Sequence, residues 1–197
     1  MGRVLVACES SGVVRDAFIE AGHDAISCDL LETESPGPHI QRDVRPLLRE
    51  RWDLVIAHPP CRFLANSGVQ YMHKYPDRRG NMESAAAFFL ECLNANAPLV
   101  AVENPTPHKY AREIIGRESF AVHPWMFGDG FSKRTCFWTR GLPPLLATEL
   151  GDKSDLLSWH TKTSKMKGEA RRRERSRFHR GMAAAMATQW SSFIDGQ

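Results

Sequence analysis

The chain has 197 residues, of which 42% are hydrophobic and 25% are charged, and this composition is typical of one compact α/β domain, or of one domain with a small appendage. No apolar run approaches the roughly 18 residues that a membrane span requires, so we expect a cytoplasmic protein without a membrane contact. The five cysteines are odd in number and contain no Cys-x-x-Cys pair, which argues against a disulfide framework and predicts no metal site.

The first predicted elements are typical of a nucleotide-binding fold. A buried strand over residues 3–8 leads into the turn Glu9-Ser10-Ser11-Gly12 and then into an amphipathic helix over residues 13–21. A second strand, over residues 25–28, ends at Asp29, about 20 residues after the turn. An acid at that place commonly binds a ribose hydroxyl group, so this half of the chain predicts a cofactor site.

Two later strands end abruptly at polar residues and prolines. Residues 31–40 are predicted to form a loop, and Asp43 then leads into a short helix over residues 46–51. The next strand stops at His58-Pro59-Pro60-Cys61, where each proline fixes φ near −65° and holds the backbone before Cys61 stiffly. Another buried strand, over residues 99–103, ends at Glu103-Asn104-Pro105.

The remaining elements are less regular. We expect an irregular loop over residues 63–81, helices over 82–94 and 110–115, and strands over 121–123 and 135–139. Residues 147–173 show no helical or strand period and are predicted to be extended or partly disordered, whereas residues 182–193 predict a closing helix. The segment 162–180 carries nine Lys or Arg residues against two acids.

These elements predict an α/β fold, a Rossmann-like and mostly parallel sheet with helices on both faces. We divide the chain into a catalytic domain over residues 1–146, a basic and flexible nucleic-acid-contacting segment over 147–180, and a terminal helix over 181–197 that packs back on the domain. The carboxyl ends of parallel strands share one edge, so the polar residues after each strand are expected to form one site there.

Pro59-Pro60-Cys61 at one strand end, with Glu103-Asn104 at another, resembles the DNA cytosine-5 methyltransferases. In that family a Pro-Pro-Cys and a Glu-Asn-Val element supply the nucleophile and the acid. More narrowly, the chain is similar to short phage and prophage members of the superfamily. Those members have segments like these: His123-Pro-Trp-Met-Phe-Gly128, Gly141-Leu-Pro-Pro144, Arg175-Ser-Arg177 and Met186-Ala-Thr-Gln-Trp190.

The resemblance implies an S-adenosylmethionine-dependent methyltransferase fold with S-adenosylmethionine as its cofactor. The implied cofactor-binding residues are Glu9, Ser10, Ser11 and Gly12 for the amino-acid part, Asp29 for the ribose, Asp43 for the adenine amino group, and Pro59. The implied catalytic residues are Cys61, which attacks C6 of cytosine, Glu103, which binds N3 and the exocyclic amine, and Arg134, which contacts O2.

The implied partner is DNA, with the target base flipped out or already single-stranded. Arg62, Asn104 and Lys133 are the expected contacts near the base, and Arg171, Arg172 and Arg173 are expected to bind phosphates in a salt-dependent way. Only about 40 residues separate the late strand over 135–139 from the closing helix, so we expect no sizeable target-recognition domain.

The sequence departs from the family at several positions: the cofactor turn has less glycine, Arg62 replaces Gln, Pro105 replaces Val, and Cys136 replaces an Arg. Other functions therefore stay open. They are a related pyrimidine modification with another transferred group, an amino-methyltransferase, and a catalytically silent nucleic-acid-binding module. Four histidines, His58, His108, His123 and His160, have no metal-ligand spacing and are expected at the surface or as hydrogen-bonded core residues. The sequence leaves the oligomeric state open.

Overall fold

The structure, a computed structural model, describes residues 1–149 and 156–196. Its strands are β1 (Arg3–Ala7), β2 (Asp24–Asp29), β3 (His39–Gln41), β4 (Leu54–Ala57), β5 (Leu99–Pro105), β6 (Phe120–Val122), β7 (Phe131–Ser132), β8 (Thr135–Arg140) and β9 (Leu157–Ser158). Its α-helices are α1 (Val13–Glu20), α2 (Arg45–Leu48), α3 (Arg78–Leu93), α4 (Lys109–Ile115), α5 (Trp159–Lys162), α6 (Gly168–Ser176) and α7 (Arg180–Asp195), and two 3-10 helices cover Asn66–Tyr71 and Pro124–Phe127. Within the described ranges, no helix is long and apolar enough to cross a membrane.

Seven strands form one sheet in the order β3-β2-β1-β4-β5-β8-β6. The first five strands of this order pair in parallel, whereas β8 runs antiparallel to both β5 and β6. The predicted α/β class with a Rossmann-like, mostly parallel sheet is therefore confirmed. Strands β7 and β9 form a separate two-stranded sheet.

Helices cover both faces of the sheet. Val4 and Val6 of β1 pack into a core that includes Phe18 of α1 and Trp190 of α7. Leu5, from the opposite face of β1, packs with residues of α2, α3 and α4. A strand buried on both faces needs apolar side chains at successive positions, which is why β1 and β4 appear in the sequence as continuous apolar runs.

Two predictions about the secondary structure are wrong. The predicted loop 31–40 runs into β3, a three-residue strand that pairs with β2 and is too short to show a period. The segment 147–173, predicted to be extended or partly disordered, contains β9, α5 and most of α6 in its described part. Helix α6 has many charged side chains instead of an apolar stripe, and it is anchored by ion pairs from Arg173 and Arg177 to Glu34. Residues 150–155 of that segment lie outside the described residues.

Candidate active site at the carboxyl edge of the sheet

The strand order places β1 and β4 side by side at the point where the direction of strand succession reverses. Ala7 of β1 is in register with Ala57 of β4, and Ala57 is in register with Val102 of β5. Ligands of open α/β sheets bind in the crevice beyond such a reversal, at the carboxyl ends of the strands. The turn after β1, the His58–Cys61 segment and Glu103 therefore lie at one edge, as expected.

The turn that presents Cys61 is held at several backbone positions. The amide of His58 donates to the carbonyl of Ala7 at 2.9 Å, and the carbonyl of Cys61 accepts from the amides of Leu64 and Ala65 at 3.0 and 2.9 Å. The side-chain amide of Asn104 donates to the carbonyl of Pro59 at 3.0 Å. Asn104, expected to contact nucleic acid, thus connects the end of β5 to the turn that carries the thiol.

Cys61 differs from the other cysteines in its exposure and its electrostatic surroundings. Cys28, Cys92 and Cys136 are buried, whereas Cys61 is exposed. Loss of solvation around its sulfur raises the pKa of Cys61, and the charge of Glu103 raises it further, whereas Lys133 and Arg175 lower it. The thiol is therefore mostly protonated near neutral pH, and deprotonation must precede any nucleophilic attack.

Glu103 is a buried acid that remains ionised. It is 9% exposed, and although burial acts to raise the pKa of its carboxyl group, His58, Lys133 and His179 together lower it below the usual range. His58 Nδ1 lies 3.4 Å from Glu103 Oε2. The other carboxylate oxygen, Oε1, is buried and has no hydrogen-bond partner among the described residues. An unpaired buried acceptor is costly unless a ligand satisfies it.

Two residues that directly precede α7 contribute to the site from a distant part of the sequence. The ring of Phe178 lies against the ring of His58, with 4.8 Å between centroids. His179, the next residue, contributes its charge at Glu103 and packs against Trp159. The sequence predicted only an ordinary role for His58, because nothing in residue spacing indicates that residues 178 and 179 return to this edge.

Of the two adjacent basic residues before β8, Lys133 acts on the candidate nucleophile and acid. Its charge lowers the pKa of both Cys61 and Glu103. Arg134, predicted to contact O2 of the base, donates to Glu118 Oε1 at 2.7 Å, to Thr106 Oγ1 and to the sulfur of Cys136. Its guanidinium group is thus engaged by neighbouring residues of the chain.

The turn after β1 leads directly into the amino end of α1, and its residues bond to the first turn of that helix. Glu9 is buried, and its carboxylate accepts hydrogen bonds from the amides of Val14 and Arg15 at 2.8 and 3.2 Å. Gly12 has φ +74°, and a Cβ atom there would lie 2.5 Å from Arg15 Nη2. Glycine is therefore required at position 12, and Glu9 caps α1. Ser10 and Ser11 lie on the same turn, where Ser11 Oγ donates to Glu9.

Two acids predicted to bind the cofactor differ in how their oxygens are used. Asp29 Oδ1 accepts from the amide of Leu31 at 2.9 Å, and this is the one hydrogen bond of the carboxylate within the described ranges. Both oxygens of Asp43 bind Arg45, one through the backbone amide and one through the guanidinium, and these bonds lower the pKa of Asp43. Asp29 can therefore accept a hydrogen bond from a ribose hydroxyl group, whereas both oxygens of Asp43 are already bonded. Of these two acids, Asp29 is the better fit to S-adenosylmethionine, at its ribose.

The basic residues predicted to bind nucleic acid lie in two places. Arg62 is exposed beside Cys61, and its guanidinium carbon lies 5.3 Å from the ring centroid of Phe63. Arg171 and Arg173 lie on α6, where Arg173 Nε is 3.2 Å from Glu34 Oε1. Arg177 binds the other oxygen of Glu34. The side chain of Arg172 lies outside the described residues.

No protein-family model and no curated protein matches the chain. Among solved structures, it is similar to one described as a DNA modification methyltransferase encoded within an E. coli prophage, with 15% identity and a TM-score of 0.44 over 70% of this chain and 45% of that chain. It is also similar to the Entamoeba histolytica methyltransferase EhMeth, with 15% identity and a TM-score of 0.46 over 76% of this chain and 57% of that chain. A third similar structure is the S. pombe Dnmt2 methyltransferase, with 15% identity and a TM-score of 0.41 over 86% of this chain and 56% of that chain. The chain spans about half the length of these proteins.

Proposed function

We propose that the protein transfers a methyl group from S-adenosylmethionine to C5 of cytosine in DNA. One observation carries the proposal: Cys61, an exposed residue, and Glu103, a buried acid, lie at the ends of neighbouring strands at one sheet edge, and Glu103 Oε1 has no hydrogen-bond partner among the described residues. Covalent activation of an electron-poor ring needs a nucleophile and an acid placed in this way.

In the proposed reaction, Cys61 loses its proton and its sulfur attacks C6 of the cytosine ring. The S–C6 bond forms as the carboxylate of Glu103 takes up the proton of Cys61 by way of solvent and passes it to N3. The electron pair of the C5–C6 double bond moves to C5 and into the ring, which the proton on N3 stabilises. When bound, S-adenosylmethionine supplies an electrophilic methyl group for C5. C5 then loses its proton to water, the double bond re-forms, and the S–C6 bond breaks to return the electron pair to Cys61. The proton on N3 returns through Glu103 to the thiolate.

The residues around this pair support the same chemistry. Lys133 favours the thiolate of Cys61 and the carboxylate of Glu103, and its ammonium group offers a counter-charge for the adduct. Asp29 and the turn 9–12 would hold S-adenosylmethionine on the β1 and β2 side of the crevice. A base in a duplex cannot reach such an edge, so the target cytosine would be flipped out or single-stranded.

Contact with the DNA backbone is assigned to the basic side chains beside the site. Arg62 adjoins Cys61, and Arg175 of α6 is close enough for its charge to lower the pKa of that thiol. Arg171 and Arg173 lie on the same helix as Arg175. Phosphate contacts of this kind give affinity that falls with salt and carry little sequence preference.

A DNA duplex containing 5-fluorocytosine, incubated with the protein and S-adenosylmethionine, tests the covalent step. Since fluorine at C5 cannot leave as a cation, the expected result is an adduct that survives denaturation, is lost in Cys61→Ala and persists in the matched variant Cys8→Ala. Methyl transfer without an adduct would favour the amino-methyltransferase instead. Salt-sensitive DNA binding without calorimetric binding of S-adenosylmethionine would favour the silent binding module, and mass analysis of the modified base identifies the transferred group.

A further inference from the structure

The imidazole of His58 adjoins only one of the two oxygens of Glu103. Its Nδ1 lies 3.4 Å from Oε2, a long hydrogen bond between side chains that are 10% and 11% exposed. Oε1 of the acid and Nε2 of the imidazole are both buried without a hydrogen-bond partner among the described residues. The pair therefore has one oxygen engaged by the protein and one free for a ligand.

The position of His58 is fixed from three directions. Its backbone amide is bound to β1 through the carbonyl of Ala7, its ring lies against Phe178, and Pro59 follows it directly. A ring held in this way has little rotational freedom, so it fixes the orientation of whatever it binds. A carboxylate without such a partner would turn about its terminal bond and lose the geometry needed to bind a base.

From this geometry we infer that His58 is a positioning residue in the proposed methyl transfer: it donates from Nδ1 to Oε2 of Glu103 and so directs Oε1 toward N3 of the target pyrimidine. The inference rests on the proposed function and extends it. The other charged or titratable groups that act on Glu103 are Lys133 and His179, and both act through their charge. His58 acts through Glu103 and forms no bond with the substrate.

Three substitutions at position 58 test whether His58 orients the carboxylate of Glu103 through a hydrogen bond or only packs beside it. Asn places an amide donor near the position of Nδ1, Gln places its donor near the position of Nε2, and Ala has no donor. We expect His58→Ala and His58→Gln to lower kcat roughly 100-fold with KM for DNA changed less than about twofold, and His58→Asn to retain kcat within about tenfold. The matched control is His23→Ala, which removes a buried imidazole bonded to Ser191 near the amino end of β2 and should leave kcat unchanged.

A second measurement is independent of the reaction. With 13C-labelled Glu carboxyl groups, an NMR titration should show the pKa of Glu103 rising in His58→Ala and returning toward the wild-type value in His58→Asn. Wild-type kcat in His58→Ala, or loss of kcat that is equal in the Asn and Ala variants, would overturn the inference while leaving the proposed function intact. If the wild-type protein neither methylates DNA nor forms an adduct, the proposed function fails. In that case the pKa measurement still tests the hydrogen bond between His58 and Glu103, because an unchanged pKa of Glu103 in His58→Ala would overturn it.

Discussion

The side-chain amide of Asn104 donates to the carbonyl of Pro59 at 3.0 Å, so the residue after the candidate acid holds the turn that carries the candidate nucleophile. Asn104 is 1% exposed, and the bond spans 45 residues of sequence. The distance between Cys61 and Glu103 therefore depends on one hydrogen bond as well as on the pairing of β4 with β5.

We predict that Asn104→Ala lowers the free energy of unfolding by about 1 to 3 kcal/mol, because it leaves the carbonyl of Pro59 without its donor. Adduct formation with 5-fluorocytosine DNA should slow roughly 10- to 100-fold, since the thiol loses its fixed position. Urea unfolding and the rate of adduct formation measure the two effects. The control is Asn96→Ala, which removes an exposed bond to the carbonyl of Arg49. Equal slowing in both variants would contradict the positioning role.

The pKa of Cys61 should respond to its charged neighbours in opposite directions. Glu103→Gln removes a negative charge that raises this pKa, so alkylation of Cys61 by iodoacetamide at pH 7.5 should become about two- to tenfold faster; Lys133→Met should make it slower. In the wild-type protein the rate should still be rising with pH above about 8.5, the ordinary thiol value. Mass spectrometry of the Cys61 peptide gives the rates, with Cys61→Ser as the blank. Identical rates in all variants would show that these charges do not reach the sulfur.

Ionisation of Glu103 should make stability depend on pH in a defined direction. Its pKa in the folded protein lies below the unfolded value of about 4.3, so the ionised carboxylate stabilises the fold above that pH. This contribution is lost as the pH falls through the folded-state pKa. The difference in unfolding free energy between wild type and Glu103→Gln should therefore shrink from pH 7 to pH 3.5 in urea titrations. A difference that stays constant, or grows on acidification, would contradict a lowered pKa.

The ion pairs between α6 and Glu34 should compete with DNA phosphates. Glu34→Gln frees Arg173 and Arg177, so binding of a short duplex is expected to tighten about two- to fivefold, as suits the strength of exposed ion pairs. Replacing both arginines by Ala should weaken binding. The slope of the logarithm of the binding constant against the logarithm of the salt concentration should become shallower by about 1 for each phosphate that is no longer neutralised. Fluorescence anisotropy at several salt concentrations measures both. Glu32→Gln, in the same loop, is the control, and equal tightening there would show a general charge effect.

The sequence predicted the sheet and the position of the thiol and acid because buried parallel strands are continuous apolar runs whose ends coincide in space. Cys61 and Glu103 follow such runs directly, so the topology alone brought them to one edge. The surroundings of His58 and Glu103 were not predictable in this way, since Phe178 lies against His58 and His179 acts on Glu103, and both reach the edge through the packing of α7. The contact of Arg134 with O2 was implied by the family resemblance and stays a prediction, whereas no sequence pattern indicates its bond to Glu118.

Helix α6, which carries basic side chains, is attached to a different part of the fold from the strands that carry Cys61 and Glu103. The nucleophile and the acid belong to β4 and β5 in the middle of the main sheet, whereas α6 follows the small β7 and β9 pair and is anchored to the loop after β2 through Glu34. A chimera that exchanges residues 156–177 with those of a similar protein would therefore keep the strand pairings that position Cys61 and Glu103. Such an exchange would test whether the salt-dependent DNA affinity proposed for α6 can be changed while β4 and β5 stay in place.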